Sequence, residues 1–170
     1  MRSTGRTAPL RDWLEERHVS YVLAVLKSFP VATAAGLVRA DHLAALVPAA
    51  GWQQVSCGDG SKGPRYYDWA LITTTSPDRH LLVRRSLTPD AMGTRELAFF
   101  TCHAPACTAL AELVQVVGTR WAVKECFQAA KNETGLDHYQ VRRYDAWYRH
   151  ATLSMLALAF LAVTAAQRGH

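Results

Sequence analysis

Residues 118–150 read GTRWAVKECFQAAKNETGLDHYQVRRYDAWYRH. From Thr119 to Glu133 the stretch holds no glycine or proline. Its apolar residues recur at helical spacing, so it predicts an amphipathic helix. At about 100° per residue, with Arg120 at zero, Lys131 falls at about 20° and Lys124 at about 40°. The three cations therefore form one stripe. The apolar side runs from Ala122 through Cys126, Ala130 and Val123 to Phe127. Glu125 lies about 100° from Lys124, on the other side of the stripe from Phe127. Read from the residues alone, the stripe is either a solvated basic edge beside a core face or a phosphate-binding surface. Asp137 stands where a side chain caps the next helix. That next helix is predicted from Tyr139 to about Ala166, with a break near His150 as an alternative.

Upstream the pattern changes from helix to strand. Thr108–Val117 is predicted as a separate helix, divided from the next by Gly118. Before it, Tyr66–Thr74 (YYDWALITT), His80–Leu87 (HLLVRRSL) and Glu96–Cys102 (ELAFFTC) read as strands, separated by polar turns that contain Pro77, Pro89 and Gly93. Ser20–Leu26 (SYVLAVL) is a nearly continuous apolar run, the pattern of a strand buried on both faces. Pro9–Arg17 and Ala40–Val47 are predicted as short helices. Cys57–Pro64 (CGDGSKGP) lacks the strand-then-helix context of a phosphate loop and reads as a hairpin connection. Strands over about 52–103 followed by helices over 106–167 predict one α/β domain spanning residues 1–170.

The composition agrees with an ordinary globular chain. Of 170 residues 49% are hydrophobic and 19% charged, which excludes a disordered or collagen-like polymer. Lys plus Arg number 19 and Asp plus Glu 14, for a net charge of +5. Residues 118–170 hold seven basic and four acidic groups, so 7 − 4 = +3 of that excess sits in the C-terminal third. A basic bias suits a polyanionic partner. Cys57, Cys102, Cys107 and Cys126 have no zinc-knuckle or redox spacing, and Cys102, His103 and Cys107 form only a loose group. Met1–Pro9 has no signal-peptide core, so a reducing cytoplasm is expected. Ala151–Ala166 is uncharged over 16 residues, short of the roughly 20 that span a membrane, and is expected to be a core helix. Membrane anchoring through it is the alternative.

Several motifs carry a family likeness. RW-x-x-x-E-C-F-Q-A-A-K from Arg120, GLD-x-Y-x-V-R from Gly135 and W-Y-R-H-x-T-L from Trp147 resemble the C-terminal signature of bacterial DDE transposases of the insertion sequence 701 type, within the insertion sequence 4-like group. WLEERHVSYVLAV, GDGSKGPRYYDWA, HLLVRRSL and ELAFFTCHAP resemble the sequence that such enzymes place between their second and third catalytic acids, so the likeness extends from about Gly5 to Thr164. It implies a partial RNase H-like fold with a β-strand insertion, and DNA transposition at terminal inverted repeats. It also implies two Mg²⁺ ions on three carboxylates, an in-line attack on DNA phosphodiesters, and a nucleoid-associated protein in the cytoplasm, with a homodimer as a further expectation.

Carried over residue by residue, Arg120 and Lys131 match the motif's Arg and Lys, but the catalytic Glu position between them is Lys124. Glu125 matches a neighbouring acid and is the one remaining catalytic candidate. If Gly5 is the glycine of the second aspartate's motif, that aspartate falls near Met1 and Thr4 takes the aromatic position. The first aspartate lies upstream of everything present. Asp12, Asp41, Asp59 and Asp68 are outside the motif, and no metal ligand is assigned. The resemblance therefore implies a C-terminal transposase portion, truncated or with a miscalled start, that binds DNA and is catalytically defective. A non-catalytic DNA-binding protein derived from a transposase is the alternative. Expected DNA contacts are Arg120, Lys131, Arg142, Arg143, Arg84 and Arg85, with Lys62 and Arg65 in the turn beside the last two. Trp147 and Tyr148 read either as stacking groups or as packing for the last helix, and His150 as a satisfied histidine.

Overall fold

The structure, a computed structural model, describes residues 8–60, 63–140 and 142–168. The chain divides into two compact units, Met1–Gly118 and Thr119–His170. The first contains α1 (Ala8–Glu16), β1 (Tyr21–Val25), β2 (Pro30–Thr33), β3 (Gly36–Arg39), α2 (Ala40–Ala45), β4 (Gln53–Gly60), β5 (Gly63–Thr73), β6 (Arg79–Arg85), β7 (Leu97–His103) and the start of α3 (Leu110–Thr134). The strands form a five-stranded sheet in the order β1-β7-β6-β5-β4, antiparallel throughout, plus the β2–β3 hairpin. The chain is thus mixed α/β, as the strand block and late helices predict.

Alternation along the strands makes two buried layers. On one face Leu81, Val83 and Phe99 pack with Phe29 and Val31 from the hairpin region and with Ala40 and Ala44 of α2. The opposite parity carries Trp69, Leu82, Phe100 and Cys102, all buried, with the Trp69 and Phe100 rings 6.2 Å apart. β6 lies at the centre of the sheet, and its successive residues His80 to Arg84 are buried on both faces. Each fully buried Leu or Val there stabilises the fold by about 1.5–3 kcal/mol. At the start of α3, Leu113, Val114 and Val117 are buried. A Cβ added at Gly118 would lie 1.8 Å from the Cys57 carbonyl oxygen, so the helix backbone rests directly on β4.

This approach explains one departure from expectation. α3 runs unbroken through Gly118, where two helices were predicted. The glycine costs the helix about 1 kcal/mol, but it is there for close packing and does not act as a stop. The β2–β3 hairpin was not predicted, because two four-residue strands carry too little alternation to read. Gly36, with φ 105°, makes its turn, and the Thr33 hydroxyl donates to the Gly36 carbonyl at 2.8 Å. β4 is likewise longer than its polar composition suggests, with a register shift between Ser56 and Asp59. β1, whose sequence has the pattern of a strand buried on both faces, has Tyr21 alone buried and Ala24 exposed, and it lies at an edge of the sheet.

The second unit holds the rest of α3 and α4 (Tyr144–Arg168). Gly135, with φ 63°, ends α3, and the Leu136 amide donates back to the Ala130 carbonyl at 3.1 Å. α4 docks on this terminus. The Ser154 hydroxyl donates to the Thr134 carbonyl at 3.3 Å, and the His150 imidazole bonds the Gly135 carbonyl at 3.1 Å. His150 is therefore a half-buried, satisfied histidine, stacked with Tyr139 at 5.2 Å. α4 begins at Tyr144, later than predicted, and continues through His150 without a break. The expected core helix keeps an open side: Leu153, Leu156, Phe160 and Val163 are 57–68% exposed. Within this unit α3 is its one helical neighbour, and one neighbour covers one stripe. Tyr144–Gln167, of mean hydropathy 1.4, is long and apolar enough to cross a membrane by length and composition alone.

Candidate nucleic-acid interface

The second half of α3 is nearly free of buried side chains, and Arg120, Lys124 and Lys131 are all exposed. Eleven residues separate the first from the last, about 16 Å along the helix axis at 1.5 Å per residue. Among the described residues no ion pair engages any of the three. An aligned set of cations without acidic partners keeps its full attraction for a polyanion.

The same helix carries the catalytic candidate. Glu125 is exposed beside Lys124, and among the described residues no three His, Cys, Asp or Glu side chains come together. A hard divalent cation takes six or more oxygen ligands, three or so of them from protein carboxylates at a two-metal site. Glu125 with a lysine at its shoulder is not such a donor set, so no step is derived through Mg²⁺. The positions that the family likeness gives to the second aspartate, Met1 to Gly5, lie outside the described residues.

A second basic group gathers at the start of α4. Arg142, Arg143 and Arg149 are exposed, and none is in an ion pair among the described residues. Beside them Tyr144, Trp147 and Tyr148 are 73%, 50% and 60% exposed, with the Tyr144 ring 6.3 Å from each of the other two. Of the two readings open for Trp147 and Tyr148, packing and stacking, this geometry favours the second. Tyr144, which the sequence already places with them beside the arginines, joins them through its i, i+3, i+4 spacing on a helix that starts at that residue.

The sheet arginines have different surroundings. Arg84 is 8% exposed; it pairs with Glu96 at 3.2 Å and its guanidinium lies 4.5 Å from the centre of the Tyr67 ring. Arg85 donates to Asp68 at 2.9 Å and stacks on Trp52 at 4.0 Å. Arg95 reaches the same Asp68 carboxylate at 3.2 Å. Arg39 binds Asp41 at 2.6 Å, and Arg79 binds Glu15. The pairing of Arg85 with Asp68 follows from strand register, since the two residues are direct cross-strand partners. Of the neighbouring turn, Lys62 lies outside the described residues and Arg65 is half-buried.

One buried polar group was missed altogether from sequence. Tyr21 donates its phenol hydrogen to Glu15 at 2.5 Å, Arg79 holds the other carboxylate oxygen, and His103 stacks on Tyr21 at 5.6 Å. Burial raises the Glu15 carboxyl's pKa, but the hydrogen bonds from Tyr21 and Arg79 outweigh it and hold the group below its ordinary value. Burial and the same carboxylate push the Tyr21 phenol well above its usual range. These contacts pin α1 to β1 and β6. They lie 64 residues apart in the case of Glu15 and Arg79, too far for any local pattern to reveal.

Comparison of the sequence with protein-family models gives no match, and comparison with curated proteins gives none either.

Proposed function

We propose that this chain is a DNA-binding protein of DDE-transposase descent, RNase H-like in ancestry with a β-strand insertion, which engages DNA at transposon ends without cutting it. The supporting observation is the division of charge between the two units. Arg79, Arg84, Arg85 and Arg95 of the first unit are each paired with Asp or Glu, and Arg84 also lies buried against the Tyr67 ring. Arg120, Lys124, Lys131, Arg142, Arg143 and Arg149 are exposed and without ion pairs among the described residues. Phosphate contacts supply most of the sequence-independent affinity for DNA, and they need cations that are free to make them. In this reading Lys124 acts as one more phosphate contact where the family has a metal ligand. The reading requires no Mg²⁺ for binding.

The test is fluorescence anisotropy of a labelled duplex with the full chain, in EDTA and in Mg²⁺, across a salt series. Binding that weakens steeply with salt and is indifferent to EDTA supports the reading. Absence of binding at low salt, or Mg²⁺-dependent nicking of the duplex, refutes it. A second reading, membrane attachment through α4, rests on the exposure of that helix. Its uncharged stretch Ala151–Ala166 is 16 residues long, about 24 Å of helix against a hydrocarbon core of about 30 Å. Flotation of the chain with liposomes in the absence of DNA would favour that reading instead.

A further inference from the structure

The two edges of the five-stranded sheet are built differently. β4 reads QQVSCGDG; it is polar, shifts register between Ser56 and Asp59, and has Gly58 at φ 105°. Bulges, charge and glycine are the devices by which natural sheets stop further strands from adding. β1 reads YVLAV and has none of them. Its pairing with β7 is unbroken from Tyr21–His103 to Val25–Phe99. Among the described residues no backbone hydrogen bond reaches its outer side. Ala24 is exposed, and Val19 and Leu26, just beyond either end, are 43% and 54% exposed. An open groove of about 520 Å³, lined in part by Val25, Leu26, Leu97 and Phe99, extends the apolar surface at the strand's C-terminal end.

We propose that the outer edge of β1 is the docking site for β1 of a second copy of this chain, the two strands pairing antiparallel about a twofold axis. An added strand satisfies the outward amides and carbonyls of Tyr21–Val25, which otherwise depend on water. A twofold antiparallel pair needs only one strand sequence, because where residue i meets residue j of the other copy, j meets i. The strand carries no charge, so self-pairing sets no like charges against each other. The blunted β4 edges then lie at the two outer ends of the joined sheets, so the assembly closes at two copies and does not grow into a fibre. This proposal is independent of the DNA-binding reading.

The experiment combines sedimentation of the full chain over a concentration series with hydrogen exchange of the same samples. The expected result is a monomer–dimer equilibrium in which the alternate amides of Tyr21–Val25 that point away from β7 gain protection as the dimer forms. Ala24→Lys, which places a charge at an exposed position of the strand, is expected to leave a folded monomer at concentrations where the parent is dimeric. A chain that stays monomeric throughout, a dimer whose β1 amides exchange as fast as the monomer's, or a dimer that survives in folded Ala24→Lys overturns the proposal. Should the variant lose its circular dichroism signal, the exchange of the parent chain decides alone.

Discussion

Replacing Arg120, Lys124 and Lys131 together by alanine removes the α3 stripe and nothing else. All three side chains are exposed, and alanine is the best helix former, so the fold is expected to keep its melting temperature. The stripe covers about 16 Å of helix, enough for its three charges to meet separate phosphates. Each phosphate contact on duplex DNA adds about 0.9 to the slope of log affinity against log salt, so three lost contacts lower that slope by about 2.7. Between roughly 50 and 200 mM salt, a fourfold step, the parent then loses about 40-fold more affinity than the triple variant does. The assay is anisotropy of a labelled duplex at five or more salt concentrations, with Arg95→Ala as the charge-matched control. Arg95 is already paired with Asp68, so its loss is expected to leave the slope almost unchanged. An unaltered slope in the triple variant would refute the placement of DNA on this stripe. An equal fall per charge in Arg95→Ala would show that net charge, and not the arrangement, attracts the DNA.

Four further outcomes are expected. Trp147→Ala combined with Tyr148→Ala weakens binding to single-stranded DNA by about 1–3 kcal/mol for each base that stacks, while thermal stability is retained; unchanged single-strand affinity argues that these rings meet no base. Lys124→Glu places a carboxylate next to Glu125, but among the described residues no third His, Cys, Asp or Glu joins them, so Mg²⁺-dependent cleavage stays undetectable on gels, and robust cleavage would sink the account of the site. Gly118→Ala drives a methyl into the Cys57 carbonyl and lowers the denaturant midpoint by the equivalent of about 1–3 kcal/mol, where an unchanged midpoint would show that α3 does not press on β4. Burial holds the His80 imidazole below its ordinary pKa, with Asp78 pulling the other way. The unfolded chain therefore takes up the proton first, and stability that is complete above about pH 6.5 falls as the pH drops from there towards the lowered folded value. His80→Leu is expected to flatten that slope in denaturation curves as the pH falls below about 6.5; identical slopes in both proteins would show that His80 is not the group concerned.

Much of the fold is legible in the sequence because its signals are local. β6 announces itself by the apolar run Leu81 to Val83, and the structure places it at the centre of the sheet. α1 and α2 fall within a residue or two of the apolar spacing that predicts them. The failures share a cause: a residue whose meaning depends on a distant neighbour. Gly118 reads as punctuation until the Cys57 carbonyl, 61 positions earlier, is seen to need the space. Helix α4 reads as core because its residues are apolar, yet burial is a property of what packs against a helix, and α3 covers one side only.

The same distinction governs the site. A count of cations treats Arg84, Arg85, Arg120 and Lys131 alike, and a basic strand edge is as plausible a DNA path as a basic helix stripe. Strand register separates them. Asp68 faces Arg85 across the ladder, and Glu96 arrives beside Arg84 from the strand on its other side; each guanidinium also lies over an aromatic ring. Moving these arginines to phosphate would leave Asp68 with Arg95 alone, and Arg84 would have to leave a buried position and its contact with the Tyr67 ring to do it. The helix cations break no ion pair among the described residues when they meet DNA, because they are exposed and unpaired by any acid there. Affinity is a difference between bound and free states, so the cations that matter are those least satisfied before the partner arrives. By that criterion the proposed DNA surface belongs to the second unit, which carries six exposed cations and three exposed rings, and the paired arginines of the sheet serve the fold.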